Sequence, residues 1–266
     1  MKRRSNQLRS LARPIAAFAL ALLGWAGSGR AEVYTLTNGN SCARIDVNGG
    51  EGMNAWKVEG QDQLAKQWFY LRIGTSGSYQ PINSIGPASV SQPAAGSLQV
   101  IYTGQQVTVM VVYTLTGGAA GSGSSGISEL IRVSNNSSTS AVDLHLSEFS
   151  DFNLAGSGTQ DTVQLGSLSL CNWARQTGTN PALNEMVRAE VGISPGASTA
   201  VATGPGDGTF TFYWDKTIPA GSVFEISEDN IISVVVAPPI SEVGKPRRRV
   251  LVRWRELGGV GGCRQR

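Results

Sequence analysis

Alternating aromatic and charged side chains give residues 67–72 the clearest potential for ligand binding. The segment reads Gln-Trp-Phe-Tyr-Leu-Arg, so an extended backbone places Trp68, Tyr70 and Arg72 on one face. An exposed tryptophan and tyrosine can stack on the apolar C–H face of a sugar ring, while an arginine binds its hydroxyl groups. The pattern predicts a carbohydrate-binding face, and the alternative is a central strand that packs on both faces.

Oxygen-bearing side chains around a glycine make the segment that begins at Asp151 a candidate calcium loop. Asp151 and Asn153 occupy its first and third positions, Gly156 occupies the sixth, and Asp161 follows. This spacing matches the start of a calcium-binding loop, but Thr162 stands where a bidentate glutamate is expected. An Asx-rich turn between two strands is the alternative interpretation.

The single histidine, His145, is the candidate for an imidazole acid or base. A Ser–His–Asp set would need a nucleophile elbow, and no Gly-x-Ser-x-Gly precedes a helix in this sequence. We therefore expect His145 to be a surface residue beside Asp143, and we assign no catalytic residue. One histidine also disfavours a histidine-based zinc site. The carboxylates of Glu148 and Asp151 could do acid–base work on a sugar, but acids are too common here for the pairing to be informative.

Two of the three cysteines, Cys42 and Cys171, lie in the body of the chain, and Cys263 lies near its end. Two thiols in an exported domain commonly pair, so a disulfide between Cys42 and Cys171 is one hypothesis. It would close a long loop and could contribute about 4 kcal/mol on the chain-entropy model. The alternative is two isolated small side chains on which the fold does not depend.

Apolar and polar side chains alternate with a period of two through the body, which indicates strands. The clearest examples are residues 107–115, 142–147 and 209–215. Further strands are expected at 33–37, 43–47, 55–59, 67–73, 98–103, 127–135, 162–170 and 222–227. The glycine-rich residues 117–126 indicate a hairpin loop, and residues 180–190 are the best candidate for a short helix. About ten or more antiparallel strands predict an all-β fold, a two-sheet β-sandwich.

Both ends of the 266-residue chain differ from its body. Residues 1–31 combine a basic start, an apolar run and small residues before a cleavage site, which is typical of a secretory signal peptide; an uncleaved anchor is the alternative. Residues 32–237 are expected to form the β-sandwich domain. Residues 238–266 are expected to be a disordered basic tail, and we hypothesise that they are a frame-shifted sorting signal.

The formal net charge of +3 arises from the basic ends, so the body itself is acidic. An acidic body repels nucleic acid and anionic lipid. We therefore expect no nucleic-acid partner and no membrane span in the mature body. The sequence also contains no cofactor fingerprint, so no cofactor is expected.

Four sequence blocks resemble exported bacterial proteins that carry a PEP-CTERM sorting signal. The blocks are residues 43–74, 113–135, 147–166 and 212–232. The resemblance implies export, a β-rich fold and a surface or exopolysaccharide-associated life, with no known catalysis. After Pro239 the apolar helix of the family pattern is missing. The sorting machinery, in which the protein would be an exosortase substrate, is therefore a partner only if the signal is intact in the true reading frame.

The run from Phe149 to Gly156 is similar to the His-Ser-Tyr-Phe-Asn-Leu-Ala-Gly run of aldose epimerases, which are also β-sandwiches. The family's histidine falls on Phe149 and its tyrosine on Asp151. The resemblance implies a β-sandwich, but the imidazole that would act as the general acid for ring opening is missing.

These observations predict an exported, non-catalytic surface or extracellular-matrix protein associated with exopolysaccharide. A carbohydrate-binding module is the alternative function, based on Trp68 and Tyr70, and a sugar-active enzyme of epimerase-like fold is a further alternative. The expected partner is an extracellular polysaccharide.

Overall fold

The computed structural model describes residues 32–154, 161–168, 171–180, 185–194, 196–202 and 207–236. The predicted signal peptide and the basic tail lie outside these residues, so the division of the chain into three segments stays a prediction. Within the described part of the chain, no helix has the length and hydrophobicity needed to cross a bilayer.

The described residues form two antiparallel sheets, with strands numbered in chain order. The first sheet contains β1 (Val33–Asn38), β2 (Ser41–Asp46), β3 (Gly52–Val58), β4 (Gln61–Asp62), β5 (Lys66–Ile73), β6 (Gln80–Pro81), β11 (Val142–Asp151), β15 (Ser198–Ala202) and β16 (Thr209–Ile218). The second sheet contains β7 (Ala88–Ala94), β8 (Ser97–Thr103), β9 (Val107–Gly117), β10 (Ser124–Asn135), β12 (Thr162–Leu168), β13 (Cys171–Asn180), β14 (Glu185–Ile193) and β17 (Val223–Val236). A 3-10 turn, Ile82–Ser84, follows β6.

Strand β11 lies between β5 and β16 inside the first sheet, whose order is β1-β2-β3-β5-β11-β16-β15, with β4 beside β3 and β6 beside β5. The second sheet has the order β12-β13-β14-β17-β10-β9-β8-β7. The hairpin β9–β10 turns through the glycine-rich residues 118–123, as the sequence predicts.

The core lies between the two sheets, where the alternating apolar faces meet. On β9 the side chains from Val107 to Leu115 at every second position are buried, and on β11 the same is true of Leu144 and Leu146. Trp56 of β3 reaches across the interior and donates from Nε1 to Ser125 Oγ of β10 at 2.9 Å. The predicted all-β, two-sheet β-sandwich is therefore confirmed.

The short helix predicted over residues 180–190 is wrong, because β13 ends at Asn180 and β14 occupies Glu185–Ile193. Glu, Met, Ala and Arg in this segment favour helices in isolation. The tertiary structure instead buries Val187, Ala189 and Val191 on one face of a strand. The sequence did not predict strand β13. Polar Asn172 and Gln176 occupy core-facing positions, so apolar and polar residues do not alternate along this strand.

The hypothesised bridge between Cys42 and Cys171 is also wrong. Cys42 is a free thiol, whereas Cys171 is disulfide-bonded. Cys42 lies on β2 of the first sheet, on the face opposite the buried Ala43, and Cys171 begins β13 of the second sheet. Stacked sheets lie about 10 Å apart and a disulfide needs Cα atoms within about 7 Å, so these two positions cannot meet.

Candidate functional site

A row of charged and ionisable side chains crosses the outward face of the first sheet. Strand pairing places Arg72 of β5 opposite His145 of β11, and His145 opposite Asp215 of β16. His145 Nδ1 is hydrogen-bonded to Asp215 Oδ1. The imidazole side chain is 20% exposed and the carboxylate 71%, so the pair is open to solvent and to ligands.

Three tyrosines lie next to this row. Tyr70 of β5 and Tyr213 of β16 lie on either side of Ser147, which follows His145 by two residues on β11. Tyr79 packs edge-on against Tyr213, with ring centroids 6.2 Å apart. The guanidinium carbon of Arg72 lies 5.5 Å from the centroid of the Tyr79 ring, within cation–π range.

We call this surface the tyrosine face; it comprises Tyr70, Arg72, Tyr79, His145, Tyr213 and Asp215. Burial and the negative charge of Asp215 raise the pKa of Tyr79, while the charge of Arg72 opposes the shift. The Tyr79 hydroxyl therefore keeps its proton at neutral pH and is a hydrogen-bond donor. The face therefore offers a ligand three aromatic rings, the guanidinium of Arg72, the imidazole of His145 and the carboxylate of Asp215.

Of the three residues predicted to bind a sugar, Tyr70 and Arg72 lie half-buried on the tyrosine face, but Trp68 does not. Trp68 is only 1% exposed, although it shares the outward side of β5. Its indole covers the backbone of Gly52, where an added Cβ would lie 2.3 Å from Trp68 Cε3. The prediction that a ligand stacks on Trp68 is therefore wrong. At this point β5 packs on both of its faces, which was the alternative interpretation.

The carboxylate partner of His145 is Asp215, and not Asp143 as the sequence suggested. Asp143 accepts a hydrogen bond from Thr217 Oγ1 at 2.8 Å. Sequence reasoning also missed Tyr79 and Tyr213. Alternation over residues 209–215 puts Tyr213 and Asp215 on the polar side of their strand, but only the β11–β16 pairing brings them beside His145.

A second group of acids lies where the calcium loop was predicted. Burial and the charges of Asp207 and Asp161 raise the pKa of Asp151 to about 6, so these three carboxylates are close enough to repel one another. Burial also raises the pKa of Asp161, which accepts from Gln176 Nε2 at 2.7 Å. Asn153 Oδ1 has no hydrogen-bond partner.

The structure thus brings Asp151 and Asp161 together, and adds Asp207, which the sequence did not single out. Residues 155–160 of the loop lie outside the described residues. In the described part of the chain, no group of three or more His, Cys, Asp or Glu side chains is arranged to hold a metal ion. Calcium binding stays a prediction.

Three glutamates lie inside the sandwich, away from the tyrosine face. Glu148 comes from the first sheet, and Glu129 and Glu228 come from the second; each is at most 2% exposed. Gln67 Nε2 donates to Glu148 Oε1 at 2.7 Å and to Glu228 Oε1 at 2.9 Å. Asn230 Nδ2 lies 3.4 Å from Glu129 Oε1.

Burial raises the pKa of all three glutamates, and Glu228 shares a hydrogen bond with Glu148 that favours the protonated form of Glu228. Because Glu148 faces the core and Asp151 lies on the opposite side of β11, these two carboxylates cannot act together on one substrate. The acid–base pair considered from the sequence is therefore wrong. The alternation Ile127, Glu129, Ile131 could have shown that a glutamate is buried.

No protein-family model matches the chain, and no curated protein matches it. Solved structures do share the fold. A galactose mutarotase related enzyme from Lactobacillus acidophilus superposes with a TM-score of 0.52 at 9% identity, covering 77% of this chain and 97% of the other. The Slr1438 protein from Synechocystis sp. PCC 6803 superposes with a TM-score of 0.52 at 12% identity, covering 77% and 96%.

These superpositions support the epimerase resemblance of residues 149–156 at the level of the fold, while the PEP-CTERM resemblance stays a prediction. They also correct the expectation that the protein is not an enzyme, because the fold is one that a mutarotase-related enzyme adopts. At this identity the likeness shows the fold alone. An activity of this chain has to be argued from its own side chains.

Proposed function

We propose that the protein binds carbohydrate on the tyrosine face. The observation that carries the proposal is the row Arg72–His145–Asp215 beside three tyrosines on an accessible sheet surface. Sugar rings present apolar C–H groups that pack on aromatic rings, and hydroxyl groups that bind to planar charged side chains. Export and contact with extracellular polysaccharide remain part of this proposal.

The His145–Asp215 hydrogen bond favours a second, catalytic function on the same face. Ring opening of a hemiacetal needs one group that takes the anomeric hydroxyl proton and one that gives a proton to the ring oxygen. In a neutral imidazole that donates from Nδ1 to Asp215, Nε2 carries a free lone pair that can accept a proton. Tyr79, which packs against Tyr213 and Arg72 and is influenced by the charge of Asp215, carries a hydroxyl that can donate one. The fold of a galactose mutarotase related enzyme supports this assignment.

Calorimetric titration of the secreted full chain with a panel of neutral and acidic oligosaccharides tests binding. We expect Tyr213→Ala to weaken the affinity for any bound glycan about tenfold, because it removes a stacking surface worth about 1.4 kcal/mol. Tyr34→Ala, on the edge strand β1, is the matched control and should bind as the parent does. If the parent protein binds no member of the panel, the proposal is wrong.

Polarimetry of freshly dissolved α-galactose and α-glucose tests the catalytic function. We expect His145→Gln to slow the protein-dependent interconversion of anomers about 100-fold, since a positioned acid or base contributes that much or more. Asp143→Asn removes a neighbouring carboxylate that does not contact His145, and it should leave the rate unchanged. Rates equal to those of buffer alone for the parent protein would contradict catalysis.

A further inference from the structure

A cavity of about 330 Å³ opens beside the tyrosine face at one end of the sandwich. Leu71, Ile73 and Val107 provide apolar walls, and its polar lining comes from Ser76, Ser78, Gln80, Ser84, Gln105 and Gln106. The cavity has the size of a small-molecule site and carries many hydroxyl and amide groups. Among the described residues that line it, Arg72 is the only charged one.

Arg72 has unused capacity to bind an anion. Its Nε is buried and has no hydrogen-bond partner. The charge is held over the ring of Tyr79, and no salt bridge to a carboxylate of the described chain occupies it. The Arg72 side chain as a whole is half-buried and lines the cavity, so the accessible part of its guanidinium can donate a charge-assisted hydrogen bond to an anionic ligand group.

We infer that the preferred ligand is a sugar bearing a negatively charged group, whose anion binds Arg72 in this cavity while the ring packs against the tyrosine face. This inference rests on the proposed function and specifies its substrate class. The hydroxyl and amide lining suits the remaining sugar hydroxyls. A uronic acid carboxylate and a phosphate ester share the required chemistry.

Calorimetric titration with each sugar separately distinguishes binding of charged sugars from binding of neutral ones. The full secreted chain is titrated with a galacturonic acid trimer, a neutral galactose trimer and glucose 6-phosphate, each at low and high salt. We expect at least one anionic sugar to bind about tenfold more tightly than the neutral trimer at low salt, with the preference shrinking at high salt. The tighter of the two anionic sugars identifies the source of the charge.

Arg72→Gln keeps a polar side chain but removes the charge, so we expect the preference for the anionic sugar to disappear. Arg44→Gln is the matched control: Arg44 is exposed on β2 of the same sheet, two strands away from β5, and its loss should leave the preference intact. Equal affinities for anionic and neutral sugars in the parent protein would overturn this inference and leave the proposed function standing. Absence of binding to every sugar would overturn both.

Discussion

At the scale of single residues, the interior glutamates are the least expected feature of the protein. Besides the hydrogen bond between Glu148 and Glu228, the only donors to Glu129, Glu148 and Glu228 among the described side-chain hydrogen bonds are amides and one hydroxyl. No Lys, Arg or His side chain is among the fully buried residues of the described chain. An uncompensated carboxylate in an apolar interior is strongly unfavourable, so these groups have to keep protons in the folded state.

This cluster predicts that the protein loses stability as pH rises. Because burial raises the folded-state pKa above the unfolded value, the folded protein holds protons that the unfolded chain releases. The contribution of these glutamates to the free energy of unfolding is therefore fully present below the unfolded carboxyl pKa of about 4.3 and is lost as pH rises toward the raised folded values. Each proton that only the folded state retains lowers the free energy of unfolding by about 1.4 kcal/mol for every pH unit of increase. Urea unfolding at several pH values between about 5 and 8 measures this slope.

Glu228→Gln isolates the contribution of one glutamate. The amide is neutral and can still donate to Glu148, so we expect a shallower pH slope and a higher stability than the parent at alkaline pH. Glu225→Gln is the control, since Glu225 lies on the same strand but pairs with Arg132 at the surface. A parent protein whose stability is independent of pH over this range would show that the interior glutamates do not retain protons.

At the scale of secondary-structure elements, the contact between β3 and β5 determines why Trp68 is unavailable to a ligand. Gly52 begins β3 with a φ of 65° and lies under the Trp68 indole. A side chain at this position would meet both the ring and the carbonyl oxygen of Gln67. The absence of a Cβ therefore allows the tryptophan to pack flat on the outward side of the sheet.

We expect Gly52→Ala to destabilise the protein by about 2 kcal/mol or more, because it combines left-handed backbone strain with an atomic overlap. Gly60→Ala is the matched control. Gly60 also has a positive φ, of 82°, but nothing lies within 4 Å of its added Cβ, so only the strain of about 1 kcal/mol remains. Thermal unfolding of both variants measures the difference, and equal losses would contradict the packing argument.

At the scale of the whole molecule, polar contacts across the interior help to set how the two sheets face each other. The Trp56–Ser125 hydrogen bond joins β3 to β10, and the Gln67–Glu228 hydrogen bond joins β5 to β17. Apolar packing supplies most of the stabilisation but is not directional. A buried donor that has a single suitable acceptor in the opposite sheet favours one arrangement of the sheets over others.

Ser125→Ala is expected to cost about 1–3 kcal/mol of unfolding free energy, because Trp56 Nε1 is then buried without an acceptor. Ser128→Ala, on the exposed side of the same strand, removes a surface hydrogen bond to Asp229 and should cost less than about 0.5 kcal/mol. Urea unfolding of the two variants checks the contrast. A Ser125→Ala variant as stable as the Ser128→Ala variant would show that the contact across the sheets is not needed.

The sequence alone determined the fold class and most of the strands. A half-buried strand requires apolar side chains at every second position, and this alternation is visible in a short segment such as Val107–Leu115. The tertiary structure decided everything that depends on which strand lies next to which. Pairing of β11 with β16 gives His145 its carboxylate partner, and pairing of β11 with β5 adds Arg72 to the same row. Register across strands and contact between sheets join residues far apart in the chain, and no local pattern of side chains encodes those distances.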